Sequence, residues 1–577
     1  MNLSVVYEDE ACTGLRIIGR SFMAWILLPD GKKRAVKKGT TLAELTKAFE
    51  NNYDSPIAVG IFNGQEYSLQ YKITEDGEVD FIPMNSVEGM RAFVRSITFV
   101  CDVAMKELFF NTELEVCNSL GSALYCTMPK NPLDREQLKQ LETRMHRIVT
   151  EKHPIVFFPV DRQEAIDRAR QDPYLGEDVL AMIKMAPESE TLFAYELCGV
   201  REPFFEPLLT STEHLSAFEL IPFDKGFVIN YPEMNDYQML PPWDTVRRIN
   251  HAYQEAEEWS AMIGCNTIAK LNRIIREGRA DKIIRVAEGL QEKKFVSIAE
   301  HITKNRDKLK FILIAGPSSS GKTSSNQRLC VQLEVNGLHP IPISMDNYYV
   351  NREDTPRNPD GTYDYERVDV IDIALFNEHL TQLLQGKTVQ LPYYNFMTGR
   401  REYRGQKMSM KENSIFVIEG IHALNPRVTA SVPDENKLKI FVSALTPMSL
   451  DAFNRIHTTD LRMLRRMVRD SQFRSHDALD TIKMWPSVRH GEEKYIFPCQ
   501  EDADIFFNTS LIYEPAILRK FAVPLLKTVP PEEKKAYFTA RRLLRLLNLI
   551  EPLDEDAIPN NSILKEFIGG SAFAKEL

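Results

Sequence analysis

The run Gly316-Pro317-Ser318-Ser319-Ser320-Gly321-Lys322-Thr323 has the spacing GxxxxGK[ST], directly after the apolar stretch 311–315 and ahead of a helix-compatible segment. Glycines so placed let backbone N–H groups turn inward around phosphate oxygens, and a helix N-terminus behind them adds positive potential. The expected nucleotide site comprises Gly316, Ser318, Ser319, Ser320, Gly321, Lys322, Thr323 and Ser324. Lys322 would reach the β- and γ-phosphates of ATP, and the Thr323 hydroxyl would bind Mg²⁺.

A phosphate loop does not by itself say what receives the phosphoryl group. A second apolar run, 340–344, ends in Met345-Asp346-Asn347-Tyr348-Tyr349, which sets a carboxylate at the edge of a parallel sheet where ligands bind. Asp346 is the candidate general base for an acceptor hydroxyl. Glu419, which follows the run 414–418, gives the metal a further carboxylate beside Thr323 and Asp346. Downstream, Arg462, Arg465, Arg466 and Arg469 recur at i, i+3, i+4 and i+7, so one helix face is guanidinium while Leu461, Leu464 and Val468 line another. With Arg474 just beyond, this predicts an arginine lid that closes over a polyphosphate and excludes water.

These residues need a parallel sheet to hold them, and from 306 to 525 apolar strand-like runs alternate with helical periodicity as an α/β fold requires. Before it, 231–305 reads as a helical connector with Ile268, Leu271, Ile274 and Ile275 on one stripe. Residues 1–85 read as short strands (4–7, 24–28, 57–62) around one helix, with Thr41 and Glu44 as a capping box. Residues 86–230 read as mixed α+β, with helices at 87–108 and 133–152. Residues 526–577 form a helical tail with a leucine-rich helix at 537–550, packing on a neighbouring surface.

A chain of 577 residues needs several domains, and 43% hydrophobic with 26% charged residues excludes wholesale disorder. Lys and Arg total 71 against 81 Asp and Glu, a net charge of −10, so any anion site is local. No apolar run approaches the ~18 residues of a membrane span, and MNLSVVYEDE has no signal-peptide pattern; a cytoplasmic protein without membrane partners is expected. Eight scattered cysteines with no CxxC pair predict reduced thiols.

Residues 310–525 resemble the uridine kinase family of P-loop nucleoside kinases, related to phosphoribulokinase. The resemblance is carried by GPSSSGKT, by MDNYY, by YDYERVD at 363–369, by PYYNF at 392–396 followed by Arg401, by Glu419-Gly420 and by RRMVRDSQFR at 465–474. It implies that Asp346 deprotonates a nucleoside 5′-hydroxyl and that Thr323 and Glu419 hold Mg²⁺. It also implies that Asp364, with Tyr363 beside it, binds the ribose. Tyr394, Phe396, Arg401 and Arg466 would line the acceptor site, and Arg469 and Arg474 would act with Lys322 on the transferring phosphate. The departures concern the base: Gly399 stands where the family pattern has a base-contacting histidine, Asn395 where it has an aspartate, His476 where an arginine is expected, and Met484 near the base-reading glutamine.

The front of the chain is similar to two other folds. Residues 20–85, through LPDGKKRAV and VGIFNG, resemble the β-grasp TGS domain, and 86–230 resemble the editing domain of threonyl-tRNA synthetase. The editing domain's HxxxH pair falls on Arg95 and Phe99, and its C-x-x-x-H pair keeps Cys198 but has Glu202, so zinc-dependent editing is not expected. The resemblance implies a retained scaffold for regulation, assembly or RNA contact, and the fusion resembles a bacterial type of large nucleoside kinase. The expected function is ATP- and Mg²⁺-dependent phosphorylation of a nucleoside 5′-hydroxyl, uridine or cytidine first, by a homo-oligomer. The alternatives are an RNA- or ribosome-associated NTPase switch and a kinase of a non-nucleoside sugar or cofactor precursor.

Overall fold

The computed structural model describes residues 22–573 apart from 110–113, 122, 129–130, 172–175, 187, 189–191, 244–245, 358–360, 362, 396 and 452. The strand expected at 4–7, Cys12 and Phe396 therefore lie outside the described residues. Among those residues no helix is long and apolar enough to cross a membrane.

Two compact units form, and they do not follow chain order. One comprises Met1–Thr245, Ser449–Arg455 and Pro530–Leu549; the other comprises Val246–Met448, Ile456–Val529 and Ile550–Leu577. The stretch read from the sequence as one helical tail is thus divided between them.

The second unit is built on five parallel strands: β1 (Phe311–Ala315), β2 (His339–Ser344), β3 (Ser414–Glu419), β4 (Lys437–Ser443) and β5 (Ile505–Asn508), in the order β2-β3-β1-β4-β5. Every residue of β1 is buried, as expected of a central parallel strand covered on both faces. The chain leaves β1 towards β2 and leaves β4 towards β5, so the connections diverge between the adjacent strands β1 and β4. Ligands bind at the carboxyl ends of such a switch point. Ser344 and Ile314 both pair with Glu419, which brings the ends of β2, β1 and β3 level.

Helix α1 (Lys322–Val335) follows β1, and the helix Ala280–Lys304 packs along it. Arg328 of α1 reaches Glu292 at 2.6 Å, Gln291 at 3.3 Å and Glu288 at 3.4 Å, and its guanidinium lies 4.8 Å from the Phe295 ring centroid. The stretch expected to be a connector is therefore part of this unit from residue 246 onward.

In the first unit a five-stranded sheet runs in the order Lys33–Lys37, Met23–Leu27, Gly77–Pro83, Ile57–Phe62, Gln65–Tyr67, around a core of Ile26, Leu42, Phe49, Val79 and Phe81. Thr41 caps the short helix Leu42–Thr46 as expected. The helix Val87–Leu108, capped by Ser86, is the spine of the α+β part and packs against Arg135–Thr150. Phe453 and Phe538, from the two remote segments, complete its core.

The positions that correspond to editing ligands are engaged otherwise. Arg95 donates to the Pro207 carbonyl at 2.8 and 3.1 Å, and Phe99 is buried 5.3 Å from the Phe204 ring. Glu202 pairs with Lys106, and Cys198 is exposed. Among the described residues no cluster of three or more His, Cys, Asp or Glu could hold a metal.

Candidate active site

The phosphate loop turns because two of its glycines sit where a side chain would not fit. A Cβ on Gly316 would lie 2.0 Å from the Val442 carbonyl oxygen of β4. Gly321 has φ +84°, and a Cβ there would lie 2.6 Å from the Ile563 side chain. Ser319 also takes a positive φ of 57°. The Oγ atoms of Ser319, Ser320 and Ser324 are buried without a hydrogen-bond partner. A loop that leaves several donors unsatisfied in its own fold fits an oxygen-rich anion.

Lys322 curls back to the Pro317 carbonyl at 3.0 Å. Burial pulls its ammonium below the ordinary value, opposed by Glu419, Asp346 and Glu566. Asp346 stands in a 3-10 turn (Met345–Tyr348) after β2 and accepts a hydrogen bond from the Tyr349 hydroxyl; burial raises its carboxyl, with Lys322 pulling it back. Glu419, at the end of β3, is pushed up to about 7 by burial and by Asp346. Two buried carboxylates thus share the field of one ammonium. That excess of hard oxygen charge, with the Thr323 hydroxyl on the first turn of α1, fits Mg²⁺, which is ordinarily held by one or two carboxylates together with substrate phosphates.

The helix α2 (Thr458–Phe473) buries Leu461, Leu464 and Val468 as its spacing predicts, but its guanidinium face divides into two sets. Arg462 donates to the Ser318 carbonyl at 2.9 and 3.1 Å and pairs with Glu492. Arg465 donates to the Ser319 carbonyl at 3.4 Å, the Thr509 carbonyl at 3.0 Å and Thr509 Oγ1 at 3.1 Å, and pairs with Glu514. Both are buried and brace the phosphate loop, so the lid expected from four arginines of this helix draws only on the other two. Arg466 reaches Ser318 Oγ at 2.9 Å, and Arg466, Arg469 and Arg474 lie 3.2, 3.0 and 3.7 Å from the buried Asp470 carboxylate.

On the acceptor side Tyr394 is buried with its ring 5.5 Å from that of Tyr349. Asp364 accepts from the Glu366 amide at 3.2 Å, and Tyr363 accepts from Arg357 at 2.9 Å. Arg401 is bound to Asp372 at 2.8 Å, the capping residue of the helix Ile373–Leu384. Gly399 has φ +70°, and a Cβ there would lie 2.7–2.9 Å from the Arg352 side chain. Arg352 therefore fills the space beside the position of the family's base-contacting histidine.

Sequence reasoning passed over Arg352, and it passed over Glu366. The Glu366 Oε2 atom is buried without a hydrogen-bond partner, and burial, then Glu492, pushes the carboxyl up to about 7. Its position between Asp364 and Asp369 carries no spacing that marks it as buried.

Residues 311–511 match the family model described as Phosphoribulokinase / Uridine kinase family. The chain is also 26% identical over 200 residues to a threonine–tRNA ligase of Clostridium perfringens, covering 34% of this chain and 30% of that protein. It is 29% identical over 210 residues to threonine–tRNA ligase 1 of Bacillus subtilis, covering 35% and 31%. The chain spans about a third of the length of these curated relatives. A solved structure described as a possible uridine kinase from Bacillus stearothermophilus aligns at 16% identity over 36% of this chain and 97% of that one, with a TM-score of 0.24. The chain carries a P-loop kinase domain of the matched family over 311–511, and an N-terminal region like that of threonyl-tRNA synthetases.

Proposed function

We propose that the kinase domain transfers the γ-phosphoryl group of ATP to the 5′-hydroxyl of a ribonucleoside, uridine or cytidine first. The observation that carries the reading is Asp346: a buried carboxylate at the carboxyl end of β2, in the field of Lys322 and backed by the aromatic wall of Tyr349 and Tyr394. In this reading the loop amides and Lys322 hold the ATP phosphates, while Thr323, Asp346 and Glu419 hold Mg²⁺. The metal supplies neutralisation of charge on the phosphates. Asp346 orients the acceptor hydroxyl and accepts its proton, Asp364 binds the ribose, and Arg466, Arg469 and Arg474 steady the transferring group. Catalysis then comes from positioning and charge.

One observation favours a second reading. Arg352 beside Gly399 presents a guanidinium where a base-reading imidazole would stand, which suits an acceptor richer in carbonyl or anionic oxygens, such as a non-nucleoside sugar derivative. A phosphoryl-transfer screen over ribo- and deoxyribonucleosides and sugar acids, with products identified by mass, separates the two. A nucleoside 5′-monophosphate as the main product is expected. ATP consumption stimulated by RNA, with none by any small acceptor, would overturn both readings.

A further inference from the structure

The first unit carries an open pocket of about 1050 Å³, lined by that unit alone. Its walls come from the edge strand Gln65–Tyr67 of the β-grasp sheet and the turn that follows that strand (68–74), the strands Val156–Val160 and Leu192–Leu197, the helices Arg162–Gln171 and Gly176–Met185, and the helix Lys534–Asn548. The volume is at the upper end of small-ligand pockets, ~300–1,000 Å³.

The charge of the lining is opposite to that of the chain. Lys72, Arg168, Arg201, Arg541 and Arg545 face one carboxylate, Glu202, within a protein of net charge −10. That carboxylate is already matched by Lys106. Arg201 pairs with Glu196 and lies over the Phe158 ring at 4.9 Å, and Arg545 stands in the field of buried Glu66. Lys72, Arg168 and Arg541 form no ion pair among the described residues. Cations gathered around one space without counter-charges repel one another, and an anion relieves that repulsion.

One side of the cavity is aromatic. Tyr67 and Tyr71 stack at 4.0 Å, Tyr71 meets Phe193 edge-on at 6.3 Å, and Phe193 stacks on Phe157 at 4.5 Å. All four rings are half-buried, so the wall keeps apolar surface for a ligand. The wall is also held in place. The Gln70 side chain accepts from the Phe157 amide at 2.7 Å and donates to the Ile155 carbonyl at 3.0 Å, which ties the β-grasp turn to the neighbouring strand.

A ligand for this space needs a planar ring and a group carrying more than one negative charge. A nucleoside phosphate has both: its base stacks on aromatic side chains, and its phosphates take arginine forks. We propose that this cavity is a second nucleotide site, separate from the phosphate loop, with the base on the Tyr71–Phe193 wall and the phosphates on Arg168, Arg541 and Arg545.

Calorimetric titration of the full chain with ATP, GTP, UTP and CTP, and with the matching nucleosides, tests the site directly. Binding of at least one nucleotide should survive Lys322→Ala. It should weaken about tenfold or more in Arg541→Ala and in Arg168→Ala, and about tenfold for the nucleoside, since one lost charge-assisted contact is worth ~1.5–3 kcal/mol. Arg168 and Arg541 are exposed, so these variants should keep the wild-type melting temperature and phosphoryl-transfer rate. The proposal falls if no nucleotide binds the Lys322→Ala protein, if binding is unchanged in both arginine variants, or if only an RNA oligomer binds in an Arg541-dependent way.

Discussion

The backbone N–H of Ser324 donates to the Glu566 carboxylate at 3.2 Å, so the first turn of the helix behind the phosphate loop is met by a carboxylate from the end of the chain. The Ser318 amide is likewise taken, by Glu492 at 3.2 Å. Two amides suited to phosphate oxygens are thus held by the chain's own acids, and Glu566 also acts on the charge of Lys322. A phosphate seated at this loop would compete with these two acids for the amides.

Glu566→Ala frees one amide and removes a negative charge beside Lys322. The KM for ATP is expected to fall by roughly three- to tenfold, with kcat nearly unchanged, because a released charge-assisted hydrogen bond is worth ~1.5–3 kcal/mol before solvent screening. Steady-state kinetics at fixed acceptor checks this. A higher KM would mean that Glu566 helps to hold the nucleotide.

Asp346→Asn keeps the size of the side chain and removes its basicity. Turnover should fall by about 10²–10⁴, the range for loss of a general base, while the dissociation constant of ATP changes by no more than about threefold. Single-turnover kinetics with a separate ATP titration distinguishes the two quantities. Near-normal turnover would remove Asp346 from its assigned role.

Arg465 and Glu514 form a buried pair, with side chains 0% and 1% exposed. Glu514→Ala leaves a guanidinium without its counter-charge, at a cost of about 3–5 kcal/mol. Urea unfolding should register that loss, and Arg465→Met/Glu514→Leu should recover much of it. ATP binding should stay weakened in the double variant, because the carbonyls of Ser319 and Thr509 have lost their donor.

Glu366 gives a signed pH dependence. Its carboxyl rises from about 4.5 in the unfolded chain to about 7 in the folded one. Folding therefore favours its protonated form, and stability from this group is lost as pH rises through that window. Glu366→Gln should match the wild type at pH 4 and exceed it at pH 8, by at most about 3 kcal/mol at 1.36 kcal/mol per pKa unit. Thermal melts at the two pH values measure the difference; a variant less stable at pH 8 would contradict it.

Local signals were enough for the phosphate loop, the strand ends that carry Asp346 and Glu419, and the helix Val87–Leu108, since each rests on spacing within a few residues. The division of the arginine helix was not legible. The partners that recruit Arg462 and Arg465 as braces, Glu492 and Glu514, lie 30 and 49 residues away. Arg352 and Glu366 were missed because nothing in their own neighbourhood distinguishes them from surface charges. Only the fold shows that one crowds Gly399 and the other is buried. The helix Lys534–Asn548 was legible as amphipathic, but its destination in the first unit was not, because an apolar stripe names no partner.

The insertion of Ser449–Arg455 and Pro530–Leu549 into the first unit has a genetic consequence. No single breakpoint separates the two halves: a cut after residue 245 strips Phe453 and Phe538 from the core they complete. A recombination event that exchanged only the front end would deliver a unit with two gaps in its interior. Truncation at residue 245 is therefore expected to leave a front end whose interior lacks two aromatic side chains that the rest of the chain supplies.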